Sequence, residues 1–247
     1  FSYLPEKPIL TDINFTVPGG KMYAIVGPSG SGKSTLVNLI PRLYDVVDGS
    51  VTIGGTDVRD YAVQPYRDTF NCVFQDFGMF AMTVRENTVL RAAQDGDETL
   101  VRDALQKSGA AGKIDSLKNG METQLTREFD LQGTNLSVGE EQKVALARAF
   151  ARPAPVIILD EPYANLDYQG VKQVNSLIKD LKSQGKTILL LTHEIEKCLG
   201  LADNFLVLFR GELVYNGKPE DAVNENLEQW NIKNPFTSYN SIKDLIW

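Results

Sequence analysis

One histidine and two cysteines are all that the chain has of the side chains that bind borderline and soft metals best. Cys72 and Cys198 stand apart, with no Cys-x-x-Cys pair, so a zinc ribbon or a disulfide framework is not expected and both read as isolated thiols of a reducing compartment. Long apolar runs are missing as well. The longest, Met22–Val26 and Phe205–Phe209, have five residues, against the roughly 20 that a membrane span needs. Basic excess is absent: 25 Lys and Arg face 32 Asp and Glu, a net charge of −7. An acidic chain lacks the cations that replace counterions on a phosphate backbone or an anionic bilayer, so nucleic acid is not expected as a partner. No charged-then-apolar leader opens the chain, and Phe1 in place of Met reads as the start of a fragment whose natural beginning lies upstream.

What is present is ample for a core. The chain has 247 residues, 43% of them hydrophobic, enough for one packed core or a core with a small subdomain. Ile13, Phe15 and Val17 alternate with polar residues and predict a half-buried strand, followed by a turn at Pro18-Gly19-Gly20. Met22–Val26 is continuous and apolar, as in a strand buried on both faces. Beyond it, Leu36, Val37, Leu39 and Ile40 form a helical stripe that Pro41 stops. Val51 and Ile53 before Gly54-Gly55 predict a strand and turn, and residues 71–74 another strand. From about Thr83 to Gly139 strand-like runs give way to helical periodicity at Leu100, Ala104, Leu105, Ile114 and Leu117. Strands return at Val156–Leu159, Thr187–Leu191 and Asn204–Phe209, with a helix over Tyr168–Ser183 and a hairpin that ends at Glu212–Tyr215. The expected fold is α/β: a core with a mostly parallel sheet, an antiparallel β segment and an inserted α-helical subdomain. Within a single unit of 1–247, the core takes 1–75 and 140–223, the helical insert 76–139, and a polar appendage 224–247.

Two motifs carry phosphate chemistry. Gly27, Pro28, Ser29, Gly30, Ser31, Gly32, Lys33 and Ser34, with Thr35 behind them, fit G-x-x-x-x-G-K-[ST] between a buried strand and a helix. Glycine lets the backbone wrap phosphates with its N–H groups turned inward, Lys33 supplies a point charge, and Ser34 suits Mg²⁺. Lys33 is the loop's only cation, so backbone and metal must neutralise most of a triphosphate. The second motif is Val156-Ile157-Ile158-Leu159-Asp160-Glu161. A carboxylate that ends an apolar strand emerges where such sheets bind ligands. Asp160 can hold the Mg²⁺ shell through water, and Glu161, one residue on, is placed to polarise an attacking water as general base. A solvated Asp-Glu pair is the bland alternative; the P-loop upstream makes it the minor one.

Together these motifs resemble the ATP-binding cassette family from Tyr3 to about Ala222, a resemblance that implies a P-loop NTPase (RecA-like) core. Leu136-Ser137-Val138-Gly139-Glu140-Glu141-Gln142 is similar to that family's signature, normally Leu-Ser-Gly-Gly-Gln, with Val138 and Glu140 as departures. The resemblance implies that Ser137, Gly139 and Glu140 face the γ-phosphate bound by a second cassette, while Ser137 with Glu140 also reads as a plain capping box. It implies that Gln75 senses Mg²⁺ and the attacking water, that Asp167 closes a loop crossing the dimer interface, that His193 contacts the γ-phosphate, and that Tyr3 stacks on adenine, with Phe1 as competitor. It further implies ATP and Mg²⁺ as ligands, a head-to-tail dimer, an integral membrane transporter domain as partner, and a peripheral position on the cytoplasmic face of a membrane. Alternatives in other classes are a non-transport cassette ATPase and an ATP-dependent dimerising module with weak hydrolysis.

Subfamily signals divide. Pro41–Asp45 and Phe80–Asn87 resemble exporter cassettes, as do residues 1 to about 150 generally. After about Val156, Leu191–Lys197 and Leu201–Asp203 resemble importer or energy-coupling-factor cassettes. A recombined chain joined near residues 135–165 would account for the mixture, and a match of one subfamily along the whole length would exclude it.

Overall fold

Runs of Val, Ile and Leu four to six residues long, separated by helical stripes, build a parallel sheet that is covered on both faces. The computed structural model describes residues 1–4, 6–128 and 131–236. Its elements are β1 (Met22–Val26), α1 (Lys33–Leu39), the hairpin β2 (Thr52–Ile53) and β3 (Thr56–Asp57), α2 (Val63–Arg67), β4 (Phe70–Val73), α3 (Val84–Val89), α4 (Asp97–Ser108), α5 (Ala111–Asp115), α6 (Val138–Ala151), β5 (Val156–Asp160), α7 (Tyr168–Ser183), β6 (Thr187–Thr192), α8 (Ile195–Cys198), β7 (Asn204–Phe209), β8 (Glu212–Gly217) and α9 (Pro219–Ala222). The main sheet has the order β4-β5-β6-β1-β7-β8, parallel except for the antiparallel β7–β8 pair.

Successive side chains of each central strand enter opposite layers. Met22, Ala24 and Val26 of β1, Ile188 and Leu190 of β6, and Phe205 and Val207 of β7 join one core with α6 and α7. Ile25, Leu189, Leu191, Leu206 and Leu208 join the other, against Leu36, Val37 and Leu39 of α1. Each such side chain larger than alanine, fully buried, contributes about 1.5–3 kcal/mol. A third core lies among α3, α4 and α5 and takes Val144, Ala147 and Ala151 from α6. Helix α6 therefore packs on the sheet with one stripe and on the helical segment with another.

Two sequence expectations need correction. The segment of Ile13, Phe15 and Val17 forms no strand. Its alternation is real, since these three are half-buried against the second core while Asn14 and Thr16 are exposed. Period two records a single apolar face, whereas a ladder also needs a partner edge. In α4, Leu100 is 37% exposed and Val101, Ala104 and Leu105 face inward. The polar appendage docks: Leu227 and Ile232 are buried in the first core, and Trp230 lies 6.4 Å from Tyr215. Residues 237–247 of that appendage lie outside the described residues.

Candidate functional site

Four neighbouring strands deliver the candidate residues to one edge. In sheet order, β4 leads to Gln75, β5 ends at Asp160 and Glu161, β6 leads to His193, and β1 leads to Gly27. Their registers agree: Val26 pairs with Thr192, Leu191 with Asp160, and Leu159 with Val73. With neighbouring strands about 4.8 Å apart, residues scattered over positions 27–193 converge at the carboxyl ends of the strands, where parallel α/β sheets bind ligands.

The loop after β1 requires glycine at two points. A Cβ at Gly27 would stand 2.1 Å from the Leu208 carbonyl oxygen of β7, and one at Gly32 (φ +104°) would stand 2.7 Å from Leu10 Cδ2. The loop is thus held tight against the sheet and the N-terminal segment. Gly27→Ala is expected to lower the melting temperature by several degrees and weaken nucleotide binding, because the clash is with backbone and cannot be relieved by a rotamer. A thermal melt beside a fluorescent-nucleotide titration checks both effects. Lys33 is buried and donates to the Gly27 and Pro28 carbonyl oxygens at 2.8 and 3.1 Å. Burial lowers its pKa, with Glu161 and Asp160 pulling the other way. Ser31 is buried with no partner for its hydroxyl, and Ser34 is exposed at the start of α1. Pro28, Ser29, Gly30 and Thr35 complete the loop and its entry to the helix.

Two carboxylates stand at the end of β5. Asp160 is 6% exposed. Burial, then the adjacent Glu161, push its pKa up to about 6, against the opposing pull of Ser34, Lys33 and the Gln75 backbone. Its Oδ1 is buried without a hydrogen-bond donor. Glu161 is buried too, in a left-handed backbone conformation (φ 48°), which costs a non-glycine residue about 1–3 kcal/mol. Its N–H donates to the Leu191 carbonyl oxygen at 2.9 Å, and its Oε1 lies 3.0 Å from His193 Nδ1. The His193 side chain is 53% exposed, so the pair joins a buried carboxylate to a group at the surface. A cavity of about 610 Å³ opens beside them, lined by Ser34, Asn38, Leu43, Phe74, Gln75, Asp76 and Asp160.

The remaining candidates stand apart from this cavity. Ser137 is exposed at the N-cap of α6, and its N–H donates to Glu140 Oε2 at 2.8 Å, which realises the capping box. Lys113 pairs with Glu140 at 3.2 Å. Val138 is 56% exposed, and a Cβ at Gly139 would meet only the Asn165 carbonyl oxygen, at 3.7 Å. Asp167 caps α7 by accepting from the Gly170 N–H at 2.8 Å. Tyr3 is 43% exposed and meets Phe1 and Tyr44 edge-on, each at 5.0 Å between ring centroids. Sequence reasoning missed Asn38 and Tyr44. Asn38 follows Ser34 by four residues on the predicted helix, a spacing that puts both on one face; Tyr44 carries no such signal. Both thiols are held up to about 12 by burial, so neither is a reactive cysteine.

Comparison with known proteins gives one consistent result. The family model described as ABC transporter matches residues 10–164. The ATP-dependent lipid A-core flippase of Vibrio parahaemolyticus is 35% identical over 227 residues, 92% of this chain and 38% of that protein. The flippase of the same description from Desulfotalea psychrophila is 37% identical over 223 residues, 90% of this chain and 38% of that protein. A solved structure, a bacterial Atm1-family ABC exporter with ATP bound, superimposes with a TM-score of 0.83 at 29% identity, covering 94% of this chain and 40% of that one. The chain spans about two fifths of the length of these relatives. An alignment of 227 residues must run past the junction expected near residues 135–165. The importer-like reading of the later residues, and with it a recombined origin, therefore finds no support.

Proposed function

The chain belongs to the ABC transporter family as one of its ATPase domains, and we propose that it hydrolyses Mg-ATP in a head-to-tail dimer to drive an integral membrane partner. One observation carries the reading: four adjacent strand ends bring Lys33, Asp160, Glu161, His193 and Gln75 to a single edge, with Glu161 buried and bonded to His193. Gly27–Thr35 wraps the triphosphate and Lys33 turns from its own loop carbonyls to the β- and γ-phosphates. Glu161 takes the proton of the attacking water, and His193 fixes the carboxylate and reaches the γ-phosphate. Tyr3 stacks on adenine at the loop's other end. Ser137, Gly139 and Glu140 of one copy close on the nucleotide of the other, with Asp167 at the seam. The exposure of Ser137 and Asp167, away from the cavity beside Ser34, supports a role across an interface. The flippases and exporter named above support export and a membrane partner at the cytoplasmic face.

The residues present fit Mg²⁺. Among the described residues no three His, Cys, Asp or Glu side chains converge as a metal cage. Mg²⁺ bound with a nucleotide needs less, because it uses one or two protein oxygens and takes the rest from phosphate and water. Ser34, Asp160 with its unpartnered Oδ1, and Gln75 would hold it. When bound it would neutralise phosphate charge as the leaving group departs.

Asp160 also sets a pH dependence in the nucleotide-free protein. Its folded pKa, about 6, is above the ordinary 3.8, so the folded state binds the proton more tightly than the unfolded one. This contribution stabilises the fold below pH 4 and is lost as pH rises through 6. Asp160→Asn is therefore expected to melt a few degrees above the parent at pH 7.5, with the gain shrinking to about a third of that near pH 4.5 and vanishing only below about pH 3.8. Thermal melts of both proteins across that range check it, and a constant difference would contradict the assignment. The proposed function itself is tested by steady-state phosphate release from Mg-ATP, with and without chelator. Saturable ATP binding without any release would make the chain a closing module and not a hydrolase.

A further inference from the structure

Arg148 lies in α6, eleven residues beyond Ser137, and is 8% exposed. A buried guanidinium ordinarily meets a carboxylate. Among the described residues Arg148 meets none. Its Nε donates to the Asn87 carbonyl oxygen and its Nη2 to that of Gly78, both at 3.0 Å. Burial without a counter-charge brings its pKa down to about 10. Asn71 of β4 completes the arrangement, because its Nδ2 donates to the carbonyl oxygens of Arg148 and Arg152 at 2.7 and 3.1 Å. Asn71 precedes Gln75 by four residues and Gly78 follows it by three. The exposed Gln75 loop is thus tied to one helix on both sides, and that helix begins at Ser137.

We propose that Arg148 is a positioning residue that fixes the Gln75 loop to the signature helix, so that the loop at one nucleotide and the helix start that meets the other nucleotide move as one body. The inference rests on the proposed roles of Gln75 and Ser137. Two carbonyl oxygens held by one planar fork define an orientation, which a lysine ammonium at the same site does not. The cost of burying a charge without a partner is otherwise unexplained, since a hydrophobic residue would pack α6 against α3 more cheaply.

The test is Arg148→Lys, which keeps the charge and most of the volume. Amide exchange is expected to rise at least about fivefold in peptides covering 75–82 and to stay unchanged in β5 and β6. Unchanged exchange at 75–82, or a uniform rise, overturns the inference without touching the ATPase reading. In steady-state hydrolysis, kcat is expected to fall about tenfold with KM for ATP within twofold of the parent, and the half-saturating Mg²⁺ concentration to rise. In a Gln75→Ala background the same substitution should have almost no further effect, since residues acting as a unit are not additive. Additive losses sink Arg148 as a positioning residue. Parent-like hydrolysis by Gln75→Ala alone would remove the Gln75 role and this inference together.

Discussion

Lys33→Ala is expected to lose saturable ATP binding while keeping its fold. Lys33 is the one cation in Gly27–Thr35 and is only 7% exposed. Its ammonium is therefore poorly hydrated before nucleotide arrives and sheds little water to meet a phosphate, exchanging its two loop carbonyls for stronger anionic acceptors. Truncating one partner of such a buried, hydrogen-bonded charge pair costs about 2–5 kcal/mol, or roughly 30- to 4,000-fold in Kd. Part of that loss is expected to be local. Lys33 also bridges the carbonyl oxygens of Gly27 and Pro28, so alanine leaves both without their donor. The Gly27 carbonyl is buried and that of Pro28 half-buried, so losing their donor should lower the melting temperature by a few degrees while the fold is kept. Lys33→Arg is a sharper probe of the same point. It keeps the charge, but the space between two loop carbonyls suits an ammonium and not a planar fork, and it too should bind poorly. A fluorescent-nucleotide titration beside a thermal melt settles the matter. Binding within threefold of the parent by the alanine protein would falsify the assignment of Lys33.

The parts of this site that are local in sequence are legible there, and the parts made by packing are not. The loop at Gly27–Ser34 announces itself, because its glycines and lysine act through one turn of chain. The apolar strands and the Asp160-Glu161 pair at the end of β5 are legible for the same reason. The capping box at Ser137 follows from a three-residue spacing that the helix itself enforces. Strand order is different. That β1 lies between β6 and β7 depends on which helix covers which face, and no local pattern states it. Ile13, Phe15 and Val17 mislead because a chain can lay one apolar face on a core without pairing. Leu100 misleads because hydrophobicity is not itself burial: Val101 is one residue on and faces inward. The left-handed backbone at Glu161 is invisible, since glutamate gives no hint of it. Arg148 is hidden in the same way; one arginine in a run of alanine, leucine and valine reads as a solvated helix position.

Glu161→Gln is expected to slow hydrolysis by roughly 10²- to 10⁴-fold, the range for loss of a general base, and to leave ATP binding intact. The amide matches the carboxylate in shape and, having both an acceptor and a donor, can pair with His193 Nδ1 in either tautomer, so the 3.0 Å contact and the strained backbone survive. What is lost is the ability to take a proton from water. Removing the charge has a second consequence. Glu161 is the second-largest cause of the raised pKa of Asp160, after burial. Without it Asp160 ionises more readily, and Mg²⁺ held with the nucleotide should bind at least as tightly in the variant as in the parent. Slow turnover with undiminished Mg-ATP affinity prolongs whatever state two bound nucleotides stabilise. If Ser137, Gly139 and Glu140 of one copy close on the triphosphate of another, the variant should elute from a sizing column as a dimer with Mg-ATP and as a monomer without it or with Mg-ADP. Ser137 and Val138 at the start of α6 are exposed and available to make that contact. Ser137→Arg in the same background should abolish the dimer while sparing nucleotide binding, because a bulky cation at the seam blocks approach without touching the P-loop. A Glu161→Gln protein that hydrolyses within threefold of the parent would remove the base, and a monomer at every nucleotide concentration would remove the clamp.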